Sequence, residues 1–112
     1  MVIEKINWPH GPAPHEKPAF AATIALTITN MRTIIEPAIL TGNLVLDLTI
    51  DSQVQKGAVI DLIIKTTATE TTTLGTGIDG PTIVGVAGKT KTQSFFYDGT
   101  SFKPMGASVQ ID

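Results

Sequence analysis

The stretch Asn43–Asp51 reads NLVLDLTID and sets the fold class that the sequence predicts. Its leucines and its isoleucine fall at every second position, which is the period of two that a half-buried β-strand requires. The segment Ala58–Ala68, AVIDLIIKTTA, alternates in the same way. The short polar stretch Ser52–Gly57 lies between them and ends in a glycine. We therefore expect these two segments to form an antiparallel hairpin at the centre of an all-β core.

Shorter segments with alternating or threonine-rich sequences surround this pair. They are Phe20–Thr29, Met31–Pro37, Thr69–Thr73, Thr82–Val86 and Ala107–Ile111. No segment keeps a helical period over ten or more positions, and glycine and proline separate the segments. Roughly seven or eight short strands of this kind are typical of a sandwich, a jelly roll or a small barrel. We predict one domain over residues 19–112 and expect its fold to be a single antiparallel β-sandwich.

The last part of the chain carries the strongest local turn signal. Asp98-Gly99 stands between two aromatic segments and suits a two-residue type I′ turn, with φ > 0 at both positions. That turn would place Phe95 opposite Phe102 on one face, where cross-strand packing explains the aromatic residues without a ligand. The residues of this predicted structural hairpin are Phe95, Tyr97, Asp98, Gly99 and Phe102.

The first 18 residues differ from the rest of the chain. Their prolines fix φ and remove backbone donors, so we expect an extended arm over residues 1–18 instead of a helix or a central strand. The arm would be either disordered or docked on a neighbour, and its apolar side chains favour a contact. The predicted anchoring residues are Ile3, Ile6, Trp8, Pro9, Pro12 and Pro14.

Composition narrows the class of protein. The formal net charge is −2 and the lysines are scattered, so a nucleic-acid partner is not expected. No apolar run approaches the roughly 20 residues that cross a membrane, and no apolar leader segment is visible at the N-terminus. Only 16% of the residues are charged and 42% are hydrophobic, which is little polar surface for a free monomer. We therefore expect homo-oligomerisation that buries part of the outer faces.

Few residues could carry chemistry. Cysteine is absent, and the two histidines, His10 and His15, both lie in the arm. Asp47, Asp51 and Asp61 could share the polar face of the central hairpin, but a solvated or subunit-facing role is the simpler interpretation. We therefore predict neither an enzyme nor a bound cofactor or metal. Two other classes stay open. One is a carbohydrate-binding or adhesive module that uses loops such as Leu74–Pro81, and the other is a small hydrolase or lyase on a jelly-roll scaffold, which would need a metal triad or a carboxylate pair in a pocket.

From about Leu62 onward, the order of segments resembles a known family. An apolar strand and a threonine-rich strand are followed by GTGIDG at residues 75–80 and by KTKTQSFFYDGTSFKPMGASVQID at residues 89–112. This order resembles small β-domains of tailed-phage virion proteins of the head-fibre, capsid-decoration and tail-fibre kinds. Those domains often finish in a hairpin of the form F-x-YDGT-x-F, and residues 95–102 fit that form.

The resemblance implies a jelly-roll-like sandwich, usually trimeric, whose N-terminal segment fixes it to major capsid or neck proteins. It brings no catalytic residues with it. The implied location is the virion, assembled in the host cytoplasm. The short chain favours capsid decoration or a short head fibre. The alternative within this resemblance is a carbohydrate-binding or receptor-binding module of a tail or adhesin, with a host surface glycan as its partner.

Overall fold

The computed structural model describes residues 13–112, and this part of the chain contains β-strands and no helix. The strands are β1 (His15–Glu16), β2 (Thr23–Ile28), β3 (Arg32–Ile35), β4 (Leu44–Ile50), β5 (Val59–Lys65), β6 (Thr71–Leu74), β7 (Ile83–Val84), β8 (Thr90–Tyr97), β9 (Phe102–Pro104) and β10 (Val109–Gln110). The prediction of an all-β fold is confirmed. With no helix in the described chain, no described helix is long and apolar enough to cross a membrane.

The strands form two mixed sheets. The six-stranded sheet has the order β1-β3-β5-β8-β10, with β9 also paired to β8, and the four-stranded sheet has the order β2-β4-β6-β7. Neighbours among β1, β3 and β5 are parallel, and so are neighbours among β2, β4 and β6. The remaining pairs are antiparallel. The expectation of an antiparallel, jelly-roll-like arrangement is therefore not confirmed.

From β1 to β6 the chain changes sheet after every strand, so that each strand lies beside the strand two places earlier. The predicted central hairpin is therefore wrong: β4 and β5 lie in different sheets, and the segment between them crosses from one sheet to the other. Within that segment Val54 is buried, and the Val54 N–H donates to the Asp51 carbonyl at 3.0 Å. A period of two identifies which side of a strand is buried, but it does not say which strand lies beside it.

One hydrophobic cluster receives the inward side chains of both sheets. In β5, Ile60, Leu62 and Ile64 are buried while the residues between them are not, as the alternation requires. Leu46 of β4 is fully buried on the corresponding side of the four-stranded sheet. Each such side chain stabilises the fold by about 1.5–3 kcal/mol relative to an exposed position.

The C-terminal hairpin forms, but with a longer turn than predicted. Tyr97 pairs with Phe102, so four residues connect the strands instead of two. Asp98 has no positive φ, which excludes a type I′ turn, and its carboxylate accepts the backbone N–H groups of Thr100 and Ser101 at 2.9 and 3.0 Å. The register differs by two residues from the predicted one, so Phe102 keeps its predicted face and is buried.

The loop Leu74–Pro81 is packed between β4 and this hairpin. The Leu48 N–H donates to the Thr76 carbonyl at 2.8 Å, and the Phe102 N–H donates to the Gly77 carbonyl at 2.9 Å. Ile78 is fully buried and bridges to Phe102. The loop thus joins the two sheets at this end of the molecule.

Gly77 offers a direct test of this packing. Its φ is +78°, and a Cβ there would lie 2.5 Å from the Leu48 carbonyl oxygen. Gly77→Ala should lower the unfolding free energy by about 2 kcal/mol or more, since it combines backbone strain with a collision. Gly88→Ala is the matched control, because Gly88 has φ +72° but nothing within 4 Å of the added atom. Urea unfolding would measure both variants, and equal losses would contradict the close approach.

Candidate functional site

The outer face of the four-stranded sheet is rich in threonine, and we call it the threonine face. It faces away from the core because the alternate residues of β2, β4, β6 and β7 point inward. Its members are Thr23, Ala25, Thr27, Val45, Asp47, Thr49, Thr71, Thr73 and Val84. The register brings side chains from separate strands next to each other, for example Thr27 beside Thr49.

Asp47 is the one charged member of the threonine face, and its side chain is hydrogen-bonded within the same chain. Its carboxylate accepts the Thr76 N–H at 2.8 Å. Val45 and Val84 are 36% and 51% exposed on the same face. Designed soluble domains have about 25–35% charged residues on their surface, whereas interface cores are depleted in charge. The threonine face is therefore poorer in charge than a typical exposed surface.

The outer face of the six-stranded sheet is different because it carries paired charges. The Arg32 side chain donates to the Asp61 carboxylate from Nε at 3.0 Å and also from its terminal nitrogen. The Ser94 hydroxyl donates to the other oxygen of Asp61 at 2.6 Å. Partial burial raises the pKa of Asp61, but the hydrogen bonds from Ser94 and Arg32, together with the Arg32 charge, outweigh it and hold the pKa below its usual range.

A second group of polar side chains joins the loop Leu74–Pro81 to the C-terminal hairpin. Asp79 accepts hydrogen bonds from the Ser101 hydroxyl at 2.6 Å and from the Lys103 ammonium. The hydrogen bond from Lys103 lowers the pKa of Asp79, with a smaller contribution from Ser101, and Asp79 in turn raises the pKa of Lys103. Asp79 is the acidic residue of the loop that a carbohydrate-binding module would use, and its hydrogen bonds attach that loop to the C-terminal hairpin.

The residues singled out in the sequence lie in several separate places. Asp47 and Asp61 belong to different sheets, so the interpretation of one shared acidic face is wrong. Asp51 accepts the Gln53 N–H at 2.9 Å in the turn after β4. His15 lies on β1, where its Nε2 is 2.8 Å from a Glu36 carboxylate oxygen.

Of the predicted anchoring residues, only Pro14 belongs to the described chain. Its carbonyl accepts the Ile34 N–H at 2.8 Å, and the Glu16 and Pro18 carbonyls continue the same series of hydrogen bonds along β3 and the residues after it. The segment from Pro14 to Pro18 is therefore extended and paired with its own chain. Ile3, Ile6, Trp8, Pro9, Pro12 and the histidine His10 lie outside the described residues.

The part of the chain from residue 13 onward brings together no group of three His, Asp or Glu side chains that could hold a metal ion. A depression of about 300 Å³ lies at one end of the six-stranded sheet. Lys17, Glu36 and Lys65 supply its charges. Of these three, Glu36 is in contact with β1, because the Nε2 atom of His15 lies 2.8 Å from its carboxylate oxygen.

The sequence indicated the threonine-containing strands, but it did not indicate that they lie side by side and form one face. The alternation of Thr and Ala in β2 was visible, and so was the threonine-rich segment that contains β6. That these strands lie on either side of β4 depends on the parallel order of the sheet. Comparison of the chain with protein-family models, with curated proteins and with solved structures found no match.

The Asp61 contacts predict a specific pH dependence. Because the folded-state pKa is lowered, their contribution is fully present above the unfolded-state pKa of about 3.9 and is lost as the pH falls through the folded-state value. Asp61→Asn should therefore lower the unfolding free energy by about 1–2 kcal/mol at pH 7 and by much less at pH 3.

Urea unfolding at the two pH values would measure this difference. Asp51→Asn serves as the control, because an amide oxygen can still accept the Gln53 N–H in the turn. A loss for Asp61→Asn that is the same at pH 7 and pH 3 would contradict the electrostatic role of the contacts.

Proposed function

We propose that the protein is a non-enzymatic structural protein of a tailed-phage virion, which decorates the capsid or forms a short fibre on it. In this proposal the chain self-associates, with a trimer as the expected state, and its N-terminal arm fixes it to major capsid or neck proteins. The two sheets are taken as the layers of a β-sandwich, since their inward faces supply one core. The jelly-roll connectivity remains a prediction from the resemblance.

The observation that carries the proposal is the threonine face. The threonine face has a single charged side chain, Asp47, and its carboxylate already accepts the Thr76 N–H. Water therefore finds little charge to solvate on this face. Association of such faces would bury exposed Val45 and Val84 without leaving an unpaired charge in the interface. Threonine hydroxyls can both donate and accept, so they can pair across a contact between copies.

The loop contacts support a structural role over glycan recognition. Sites for sugars commonly offer aromatic side chains for stacking, and the loop Leu74–Pro81 contains none. Of its large apolar side chains, Ile78 is buried and Leu74 packs against the core. Asp79 is bound to the C-terminal hairpin. This loop therefore serves the packing of the domain.

A lysine on the threonine face should prevent association. Thr27→Lys places a charge beside Thr49, where a covering subunit would have to desolvate it. Size-exclusion chromatography with light scattering should give a trimer for the wild type at micromolar concentration and a monomer for Thr27→Lys.

Thr92→Lys is the matched control, since it makes the same change in a strand of the other sheet. Both variants should unfold within about 0.5 kcal/mol of the wild type, as is usual for surface substitutions. A monomeric wild type, or an unchanged oligomer in Thr27→Lys, would reject the threonine face as the interface.

Removal of residues 1–12 tests the anchor. This deletion keeps the segment from Pro14 to Pro18 that pairs with β3, so the far-UV circular dichroism of the β fold should be retained. The shortened protein should no longer sediment with phage capsids, whereas the full chain should. Capsid binding that is unchanged by the deletion would exclude residues 1–12 as the anchor.

A further inference from the structure

Two adjacent residues of the loop Leu74–Pro81 close over the C-terminal hairpin, and we call Ile78 and Asp79 the clasp. Backbone hydrogen bonds attach the clasp to β9. The Asp79 N–H donates to the Phe102 carbonyl at 2.8 Å, and the Phe102 N–H donates to the Gly77 carbonyl at 2.9 Å. The side chains of Ile78 and Phe102 are both fully buried. The clasp therefore shields apolar surface at the point where the loop meets β9.

The side chain of Asp79 closes the clasp on its solvent side. Its Oδ2 atom accepts the Ser101 hydroxyl at 2.6 Å and also accepts a hydrogen bond from the Lys103 ammonium. The Asp79 side chain is 51% exposed, whereas Ser101 is only 8% exposed. A proton from solvent can therefore reach the carboxylate directly, although the hydroxyl that the carboxylate holds is buried.

The charges around Asp79 make this contact sensitive to acid. The charged side chains that interact with Asp79 among residues 13–112 are Lys103 on β9 and Asp98 in the turn before it. The hydrogen bond from Lys103, followed by that from Ser101, lowers the pKa of Asp79 in the closed clasp. Because this pKa is lowered, the contacts contribute fully above the ordinary value of 3.8 and are lost as the pH falls through the closed-state value.

The backbone on either side of the clasp suits a local movement. Gly77 has φ +78° and Gly80 has φ +146°, which side chains rarely adopt, and hinges often use such small residues. The strand that the clasp covers, β9, has three residues, compared with seven in β5. Short and irregular segments open at a lower free energy than central strands do. The clasp is therefore attached to a part of the fold that can open by itself.

We propose that the clasp is an acid-sensitive device, which opens locally when Asp79 is protonated and uncovers Phe102 while the two sheets stay folded. Protonation removes the charge that attracts Lys103 and weakens the hydrogen bond from Ser101, because hydrogen bonds to an ionised acceptor are the stronger ones. The opened hairpin presents Phe102 together with Tyr97, whose ring centroid lies 5.1 Å away. Acid thus exposes an aromatic surface that is covered at neutral pH.

This inference goes beyond the proposed function and does not rest on it. No residue of the clasp belongs to the threonine face, and the capsid-binding test measures a different contact.

Amide hydrogen exchange of the full chain, followed by NMR, tests the clasp. Protection factors corrected for intrinsic exchange should be lower for Asp79 and Phe102 than for Leu62, which lies on the central strand β5. From about pH 6 to about pH 3, protection of the two clasp amides should fall several-fold relative to Leu62. Division by the Leu62 value removes the effect of acid on the fold as a whole.

A pair of matched variants identifies the group that titrates. Asp79→Asn should show several-fold lower protection of the clasp amides at pH 6 and little further loss at pH 3, because its side chain carries no charge to lose. Asp98→Asn is the control, since an amide oxygen can still accept the N–H groups of Thr100 and Ser101 in the turn. It should keep the pH response of the wild type.

Lys103→Gln gives a second measurement that leaves the carboxylate in place. Without the lysine charge the closed clasp is less favoured, so protection of the Asp79 and Phe102 amides should be lower at pH 6 and should depend less on pH.

Three results would overturn the proposal. The first is equal protection of the clasp amides and Leu62, which would mean that the clasp opens only when the whole domain unfolds. The second is a pH response in Asp79→Asn that equals that of the wild type. The third is loss of the response in Asp98→Asn, which would assign the acid sensitivity to the turn instead of the clasp.

Discussion

Burial of aliphatic side chains between two sheets is the interaction on which the rest of the structure depends. Leu46 on one sheet and Leu62 on the other belong to the same cluster, and both are fully shielded from solvent. Because each strand can bury only every second residue, this core leaves an outer face on each sheet. The core thus determines which residues are free to meet another molecule. The threonine face and the outer face of the six-stranded sheet, which carries the Arg32–Asp61 pair, both follow from that constraint.

The two outer faces satisfy their polar groups in different ways. On the six-stranded sheet, Asp61 is neutralised by Arg32 and held by Ser94, so the charge is balanced within the molecule. On the four-stranded sheet almost no charge is present to be balanced. A surface without charge can be covered at little desolvation cost, whereas separating Arg32 from Asp61 would leave a partly buried carboxylate unpaired. This difference is the reason that we propose association through the threonine face and not through the other one.

The sequence predicted which face of each strand is buried, but it did not predict which strands lie side by side. The alternation in β4 and β5 predicted their buried residues, and the buried set includes Leu46 and Ile60. It did not predict that the intervening segment crosses between sheets, because hairpins and crossings have the same alternation on either side. For the same reason the threonine face, which is assembled from separate segments, could not be predicted. At the C-terminal hairpin, Asp98-Gly99 marked the turn, but the carboxylate of Asp98 holds a longer turn through Thr100 and Ser101, and that preference is not visible in the dipeptide alone.

The position of β5 has a consequence for how the chain folds. β5 lies between β3, which precedes it, and β8, which follows about 30 residues later in the sequence. Parallel and long-range pairs of this kind close large loops before any contact compensates for the lost chain entropy, so such proteins fold slowly. A nascent chain that has emerged only as far as β6 has one side of β5 uncovered. Completion of this sheet must therefore wait until β8 has left the ribosome.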